Sequence, residues 1–463
     1  MTIYQEIPYQ DPLLIFANFC EQEGAIFLDS AQLREGCGHY SFIAFDPAKT
    51  LTSKNGLVQL GERTISGSPF DLLATELAKF PATLLPNLPP FQGGAAGFFS
   101  YDLCHHVEQL PRAPLDDMQF PDLCVGFYDV SIAFDHLLRK AWIFSTGYPI
   151  KDEFERRNHA KLRMQEVLNQ LTQLKPLKPF SSLTCHDIHV NFTAEKYQAA
   201  VKKVIEYILD GDIFEANISQ RFTAQLPPDF SPFELYRRLR KINPAPFAAY
   251  LNFADTVIAS ASPERFVKVI ERQVEARPIK GTRPRGKNPV EDRLLADELL
   301  ASEKDQSENV MIVDLLRNDL SRVCDDGSVE VPQLCGLESY ATVHHLVSVI
   351  TAKLAEQFNA IDLLRVAFPG GSITGAPKIR AMEIIAEIEP TLRGPYCGSI
   401  GYIGFNGAMD CSITIRTYSI KNNCVTFQAG GAIVADSDPL AEYEETLTKS
   451  AALRRALQND FAH

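Results

Sequence analysis

Along the first 145 or so residues the apolar positions come in short runs, AIFLDS, YSFIAFD and VGFYDVSIAFD, separated by stretches rich in proline and glycine. Runs of this length bounded by turn formers read as strands. The segment FPATLLPNLPPFQGGAAGFFSYD at 80–102 reads as loop. The pattern predicts a β-rich amino-terminal domain over 1–150. Residues 152–174 are charged and Leu/Gln-rich, which suits an exposed helix, and LKPLKPFSSLTCHD behind them is polar and broken by proline. A connector is therefore expected over 151–192, with the domain boundary near 180–192.

At residue 193 the period changes to that of a helix. Thr193 stands where an N-cap belongs, Glu195 suits the first turn, and Tyr197, Val201, Val204 and Ile208 recur at helical spacing until Gly211 ends the run. Beyond it, strand candidates TVIAS, RFVKVIE, GSIGYIGF, DCSITIRTYSI and VTFQAG alternate with helix candidates at 291–301, 307–323, 376–388 and 439–457. The region from 193 to 458 is thus α plus β without regular βαβ alternation, and it has no internal repeat. If DCSITIRTYSI is one strand, Ser412, Thr414 and Arg416 share a face opposite Ile413 and Ile415.

Composition narrows the classes. With 463 residues, 45% of them hydrophobic, the chain has material for two large domains or one unusually large one. A formal net charge of −13 leaves no basic stripe for a nucleic-acid backbone, so an anionic substrate must meet local positive groups. Ten scattered cysteines, with no Cys-x-x-Cys pair, read as reduced thiols of a cytoplasmic protein. The start MTIYQEIPYQDPLL lacks the basic and apolar regions of a secretory signal, and no 18-residue apolar stretch follows, so no membrane span is expected.

Candidate chemistry lies in the carboxyl half. PGGSITGAPKIRAMEIIAEI (369–388) is a glycine-rich loop leading into a helix, with Pro377 allowed in the first turn, and amides at such an entry favour an anion. It is not a nucleotide phosphate loop, because Ala376 and Pro377 stand where Lys and Ser/Thr are needed. Arg416 can grip a carboxylate through two N–H groups, although a lone strand arginine is more often a surface or salt-bridge residue. Glu442 and Glu445 are three apart on one helix face, and Glu308 lies on the polar side of SENVMIVDLLRNDL. Three converging carboxylates would suit Mg²⁺, which keeps several waters and favours an anionic substrate group, although each glutamate taken singly reads as a solvated side chain. Glu264 in SASPERF, Lys280 in RPIKGTRPR and His345 have no common task on these grounds.

Taken in order, GDIFEANISQRF, ASPERF, RPIKGTRPR, SENVMIVDLLRNDL, PGGSITGAPK, GYIGF, SITIRT and ADSDPLAEYEET closely resemble the motifs of the chorismate-utilising enzymes over roughly 193–458. The β-rich amino half resembles that family's regulatory-side domain. The resemblance implies an α+β fold, a large two-sheet antiparallel β-sandwich core with outer helices, and an active site in the carboxyl half. It implies that Glu308 and Glu445 hold Mg²⁺, that Glu442 helps through water, and that the ion binds the ring carboxylate of chorismate. By the same resemblance the amides at Thr374, Gly375 and Ala376 assist with that carboxylate, Lys378 follows the anion loop, and Gly431 lines the substrate. Arg416 and Tyr402 match positions on the enolpyruvyl side, His345 matches the histidine beside the reacting ring, and Glu264 matches the general acid/base.

Within the family Lys280 selects the branch. The anthranilate synthases carry PIAGT here, whereas the aminodeoxychorismate synthases carry PIKGT, as this chain does. A neutral lysine can attack ring C2 and expel the C4 hydroxyl, leaving an adduct that ammonia displaces at C4, and Glu264 would protonate the departing hydroxyl. Desolvation and neighbouring cations are expected to lower the Lys280 pKa for this task. The hydrolytic branch places a lysine base where this chain has Glu215. No Gly-x-Cys-x-Gly motif for glutamine hydrolysis occurs, so the resemblance implies a separate glutamine amidotransferase subunit, and no lyase domain is expected. The product would serve para-aminobenzoate and folate synthesis. Two alternatives stand beside this reading: an anthranilate synthase component I, and a non-catalytic paralogue binding tryptophan near FLDS (27–30) and INPAPF (242–247), segments that resemble the family's tryptophan-holding places.

Overall fold

In the computed structural model, which describes residues 2–33, 36–185, 187–253, 255–340 and 343–459, two antiparallel sheets of twelve strands each face one another. His186, inside the expected connector, lies outside the described residues. The first sheet runs through Ile3–Ile7, Lys140–Ser145, Val130–Asp135, Tyr40–Ala44, Ala25–Asp29, Phe247–Phe253, Thr256–Ser262, Thr417–Lys421, Cys424–Ile433, Glu215–Gln225 and His189–Val190, with Gly375–Ala376 attached to Glu215–Gln225. The second runs through Ile279–Pro284, Val343–Lys353, Gln273–Ala276, Arg265–Ile270, Met409–Ile413, Ser399–Gly404, Gly94–Phe99, Leu123–Tyr128, Lys49–Lys54, Leu57–Leu60 and Arg63–Ser66, with Glu330–Ser339 attached to Val343–Lys353.

Both sheets take strands from both halves of the chain. Ala25–Asp29 pairs with the strand Phe247–Phe253, and Gly94–Phe99 pairs with Ser399–Gly404. The composition change near 180–192 therefore marks no separation of sheets. Burial explains the sharing: Gly94–Phe99, Leu123–Tyr128 and Val130–Asp135 are buried at every position, so each needs cover on both faces. Between the sheets, Ile26, Phe42 and Leu251 of the first meet Phe98, Ile400 and Tyr402 of the second. Helices cover the outer faces, Glu303–Ser321 and Ala360–Ala367 on the second sheet, Pro232–Ile242 and Pro439–Ala456 on the first. This is the expected two-sheet α+β sandwich.

The helix expected from 193 is Ala194–Leu209. Thr193 accepts the N–H of Lys196 as N-cap, and Tyr197, Val201 and Val204 are buried. Each such side chain contributes about 1.5–3 kcal/mol by leaving water, so Val201→Asp would break the helix from its seat. Gly211, at φ +85, closes the turn where other residues would be strained. The helix expected at 376–388 starts later, at Lys378, with Pro377 as N-cap rather than in the first turn, because Gly375–Ala376 is taken up as a strand beside Glu215–Ala216.

DCSITIRTYSI is not one strand. Met409–Ile413 belongs to the second sheet and Thr417–Lys421 to the first, and the chain crosses between them at Thr414–Arg416, with Arg416 at φ 55. Alternation of faces holds only within an unbroken strand, so Ser412, Thr414 and Arg416 do not share one face as expected. Arg416 sits at a corner joining the two sheets.

Candidate active site

Lys280 enters the interior from Ile279–Pro284, where the pairing with Val343–Lys353 slips between Lys280 and Thr282. Gly281, at φ +79, permits this bulge, which re-aims neighbouring side chains. The Lys280 ammonium lies 2.9 Å from Glu215 Oε1 and 3.6 Å from Glu308 Oε2. Glu215 is wholly buried at the start of its strand, and its Oε2 has no hydrogen-bond partner. Across from it, Glu264 is 6% exposed and accepts the Ser372 hydroxyl at 2.9 Å. Burial pushes the Glu264 carboxyl up to about 7, although Ser372 and Lys280 oppose the shift. Burial also pushes Glu308 up to about 7, with Lys280 opposing and Glu215 reinforcing.

The state of Lys280 corrects the sequence expectation. Burial does favour its neutral amine, but its neighbours are the carboxylates of Glu215 and Glu308 rather than cations, and their attraction wins, so its pKa is raised. The amine is thus stored as an ammonium. His345 is brought to the same sheet, opposite Thr282, with its Nδ1 2.9 Å from the Thr282 hydroxyl.

The second carboxylate group lies on Pro439–Ala456. Glu442 accepts the Ser437 hydroxyl at 2.7 Å and lies 3.7 Å from Lys304, while Glu445 pairs with Lys449 at 2.5 Å. A Cβ on Gly431 would fall 2.9 Å from Glu442 Oε2 and 3.6 Å from Glu445 Oε1, so both carboxylates face one point above that glycine. Burial raises Glu442; burial acts on Glu445 in the same sense, but Lys449 outweighs it and holds that carboxyl below its ordinary value. Among the described residues no three His, Cys, Asp or Glu side chains form a ready metal cage. Glu308, Glu442 and Glu445 each lie beside a lysine instead. Two carboxylates facing one point fit a hard cation that completes its shell with waters and an anionic ligand.

The anion loop is placed differently from its expected use at two points. Thr374 is buried, its N–H donates to the Gly371 carbonyl, and its hydroxyl bonds the Gly370 carbonyl at 3.0 Å. Gly375 must be glycine, since a Cβ there would sit 2.1 Å from the Glu215 carbonyl oxygen. Ala376 accepts the Phe214 N–H at 2.7 Å. Lys378 turns to Asp319 at 2.5 Å and the Ala367 carbonyl at 3.1 Å, so its ammonium is committed to the helix Glu303–Ser321. Arg416 is brought toward the metal-candidate helix, where its guanidinium donates to the Lys449 carbonyl. Burial favours its neutral form, and Tyr396 and Glu445 counteract this.

Tyr402 is not part of this group. Its ring packs against Phe42 and Phe91, with centroids 5.3 and 4.8 Å away, and lines a cavity between the sheets. Asp29, Ser30, Pro246, Phe247 and Arg265 line the same cavity, so FLDS and INPAPF do converge. The tyrosine beside Arg416 is Tyr396, which sequence reasoning missed. Glu215 and Ser372 were missed as partners too. An acid within the apolar IFEANI run was the available signal for Glu215, because a buried carboxylate requires a partner.

A family model described as chorismate binding enzyme matches residues 24–455. The chain is 40% identical over 449 residues to aminodeoxychorismate synthase component 1 of Klebsiella aerogenes, covering 96% of each. It is 37% identical over 471 residues to anthranilate synthase component 1 of Acetivibrio thermocellus, covering 99% of this chain and 94% of the relative. The solved structure of anthranilate synthase component I from Streptococcus pneumoniae TIGR4 superposes with a TM-score of 0.79 at 32% identity, covering 97% of this chain and 99% of the other.

Proposed function

The chain belongs to the chorismate-binding enzymes, and on that premise we propose that it is the synthase subunit of an aminodeoxychorismate synthase, aminating chorismate at C4. The observation that carries this reading is the buried Lys280 amine, paired with Glu215 and within the electrostatic reach of the Glu264 carboxyl. An anthranilate synthase needs no nucleophile in this place.

In the reaction we infer, Glu215 is the nearest acceptor for the Lys280 proton, and the freed Nζ forms a bond to ring C2 of chorismate. Both ring double bonds shift, C1=C2 to C1=C6 and C5=C6 to C4=C5, the C4–O bond breaks, and the protonated Glu264 gives its proton to the leaving hydroxyl, which departs as water. Ammonia then bonds C4, both double bonds shift back, and the C2–N bond breaks to return the Lys280 amine. A carboxyl titrating at about 7 suits Glu264, because it holds a proton yet releases it readily near neutrality. Thr282 holds the His345 ring beside this chemistry.

Mg²⁺, when bound, would neutralise the ring carboxylate of chorismate against the enzyme's own glutamates. Glu308 and Glu445 would hold it, and Glu442 would assist through water. Gly431 leaves room for that arrangement, and Thr374, Gly375 and Ala376 shape the adjoining loop. Arg416, with Tyr396 rather than Tyr402 beside it, would receive the enolpyruvyl carboxylate. Ammonia would come from glutamine through a separate amidotransferase subunit. The cavity lined by Asp29, Ser30 and Phe247 suits a bound tryptophan, offering a carboxylate for its ammonium and aromatic walls for its ring. The ten cysteines are all free, which supports a cytoplasmic setting; no described helix is long and apolar enough to cross a membrane.

The purified chain with chorismate, Mg²⁺ and ammonia should yield an aminated product that keeps its enolpyruvyl group and gives para-aminobenzoate only after a lyase is added. Anthranilate and pyruvate would overturn the reading in favour of the alternative branch.

A further inference from the structure

One buried ion pair has no part in the chemistry above. Glu389 follows the helix Lys378–Ile388, Arg393 stands four residues on, and each is 3% exposed. Arg393 Nε donates to Glu389 Oε2 at 2.9 Å and Nη2 to Glu389 Oε1 at 2.8 Å. The guanidinium also donates from Nη1 to the Ile373 carbonyl at 3.0 Å and from Nη2 to the Asn217 carbonyl at 2.6 Å. Glu389 Oε1 in turn accepts the N–H and the hydroxyl of Ser219, at 2.8 and 2.9 Å.

These bonds join two segments that carry reacting groups. Ile373 adjoins Ser372, whose hydroxyl holds Glu264. Asn217 is two residues along the strand from Glu215, which holds Lys280. A buried ion pair is weak evidence for stability, since apolar replacements of similar volume are often neutral or stabilising. Geometry is what this pair supplies, because a planar guanidinium fixes several acceptors at set directions.

We propose that Arg393 and Glu389 are positioning residues that set Glu264 and Lys280 against one another by clamping the Ser372 loop to the Glu215 strand. The proposal rests on the functional reading above. None of the pair's bonds reaches Glu308, Glu442 or Glu445, so the clamp governs turnover and leaves metal binding alone.

The test uses R393K and a double variant, Glu389→Leu with Arg393→Met, each assayed for chorismate consumption with ammonia and Mg²⁺, for thermal midpoint, and for Mn²⁺ binding by electron paramagnetic resonance. R393K keeps the charge opposite Glu389, but one ammonium nitrogen cannot serve acceptors on three segments. Small misplacements of reacting groups cost up to about 100-fold; both variants should lose about 10- to 100-fold in kcat, with KM within about threefold and Mn²⁺ binding unchanged. A double variant that folds and keeps the wild-type kcat overturns the clamp alone, as does a loss confined to KM and Mn²⁺ binding. A wild-type chain that consumes no chorismate overturns the functional reading and the clamp with it. If R393K does not fold, the double variant decides.

Discussion

Replacing Glu264 with glutamine should stabilise the folded chain while destroying its activity. The carboxyl is 6% exposed, and burial lifts its pKa from an ordinary 4.5 to about 7. The folded state therefore binds this proton more tightly than the unfolded chain does. Stability is unaffected below about 4.5, falls as pH rises toward 7, and above 7 the fold carries a buried carboxylate. At about 1.4 kcal/mol per pH unit, the displacement from 4.5 to about 7 amounts to about 3 kcal/mol lost at alkaline pH. Glutamine cannot ionise, yet its amide oxygen can still accept the Ser372 hydroxyl. Glu308 titrates in both proteins, so its contribution cancels in the difference. Urea unfolding of wild type and Glu264→Gln, with chelator present, should give equal stabilities near pH 4.5 and an advantage of up to about 3 kcal/mol for the variant at pH 8. A difference that stays flat with pH, or a variant that is weaker at pH 8, would refute the burial argument. The same variant lacks the proton donor and should lose about 10²- to 10⁴-fold in kcat.

Lys280→Ala should abolish amination at C4 and, by leaving Glu215 buried without its partner, should cost about 3–5 kcal/mol in urea unfolding; full C4 amination by this variant would remove Lys280 from the mechanism. Gly431→Ala puts a methyl group 2.9 Å from Glu442 Oε2, so the Mg²⁺ concentration for half-maximal rate should rise by about 10-fold or more, read from a magnesium titration. Chelation of Mg²⁺ should stop turnover and leave the circular dichroism spectrum unchanged, because lysines already neutralise Glu308, Glu442 and Glu445 in the fold.

Local signals were legible in the sequence where the cause is local. The Thr193 cap, the period through Val204 and the stop at Gly211 gave the helix Ala194–Leu209, since capping and periodicity involve neighbours along one element. The motifs carrying Glu264, Lys280 and Glu308 were legible in the sequence, and the structure brings both carboxyls within electrostatic reach of Lys280. Sharing of both sheets by both halves was not, because pairing partners such as Ala248 and Asp29 lie far apart in the chain. Arg416 was misplaced for a related reason: a strand pattern continues through SITIRT, and only the crossing from one sheet to the other ends it. Tyr402 lies within the strand Ser399–Gly404 and Tyr396 in the segment before it, and the choice between them depends on which one the corner at Arg416 faces. The charge state of Lys280 could not be read from RPIKGT, since its carboxylate neighbours arrive from a distant strand and helix.

The proposed function stands or falls with Lys280 as the nucleophile. Incubation with chorismate and Mg²⁺ in the absence of ammonia, acid quench, and intact-mass measurement with peptide mapping would test it. A nucleophilic Lys280 gives a mass gain of one chorismate less one water, located on Lys280 and lost when ammonia is added before the quench. An unmodified chain that still aminates chorismate at C4 under the same conditions with ammonia, or an adduct on another residue, would contradict it.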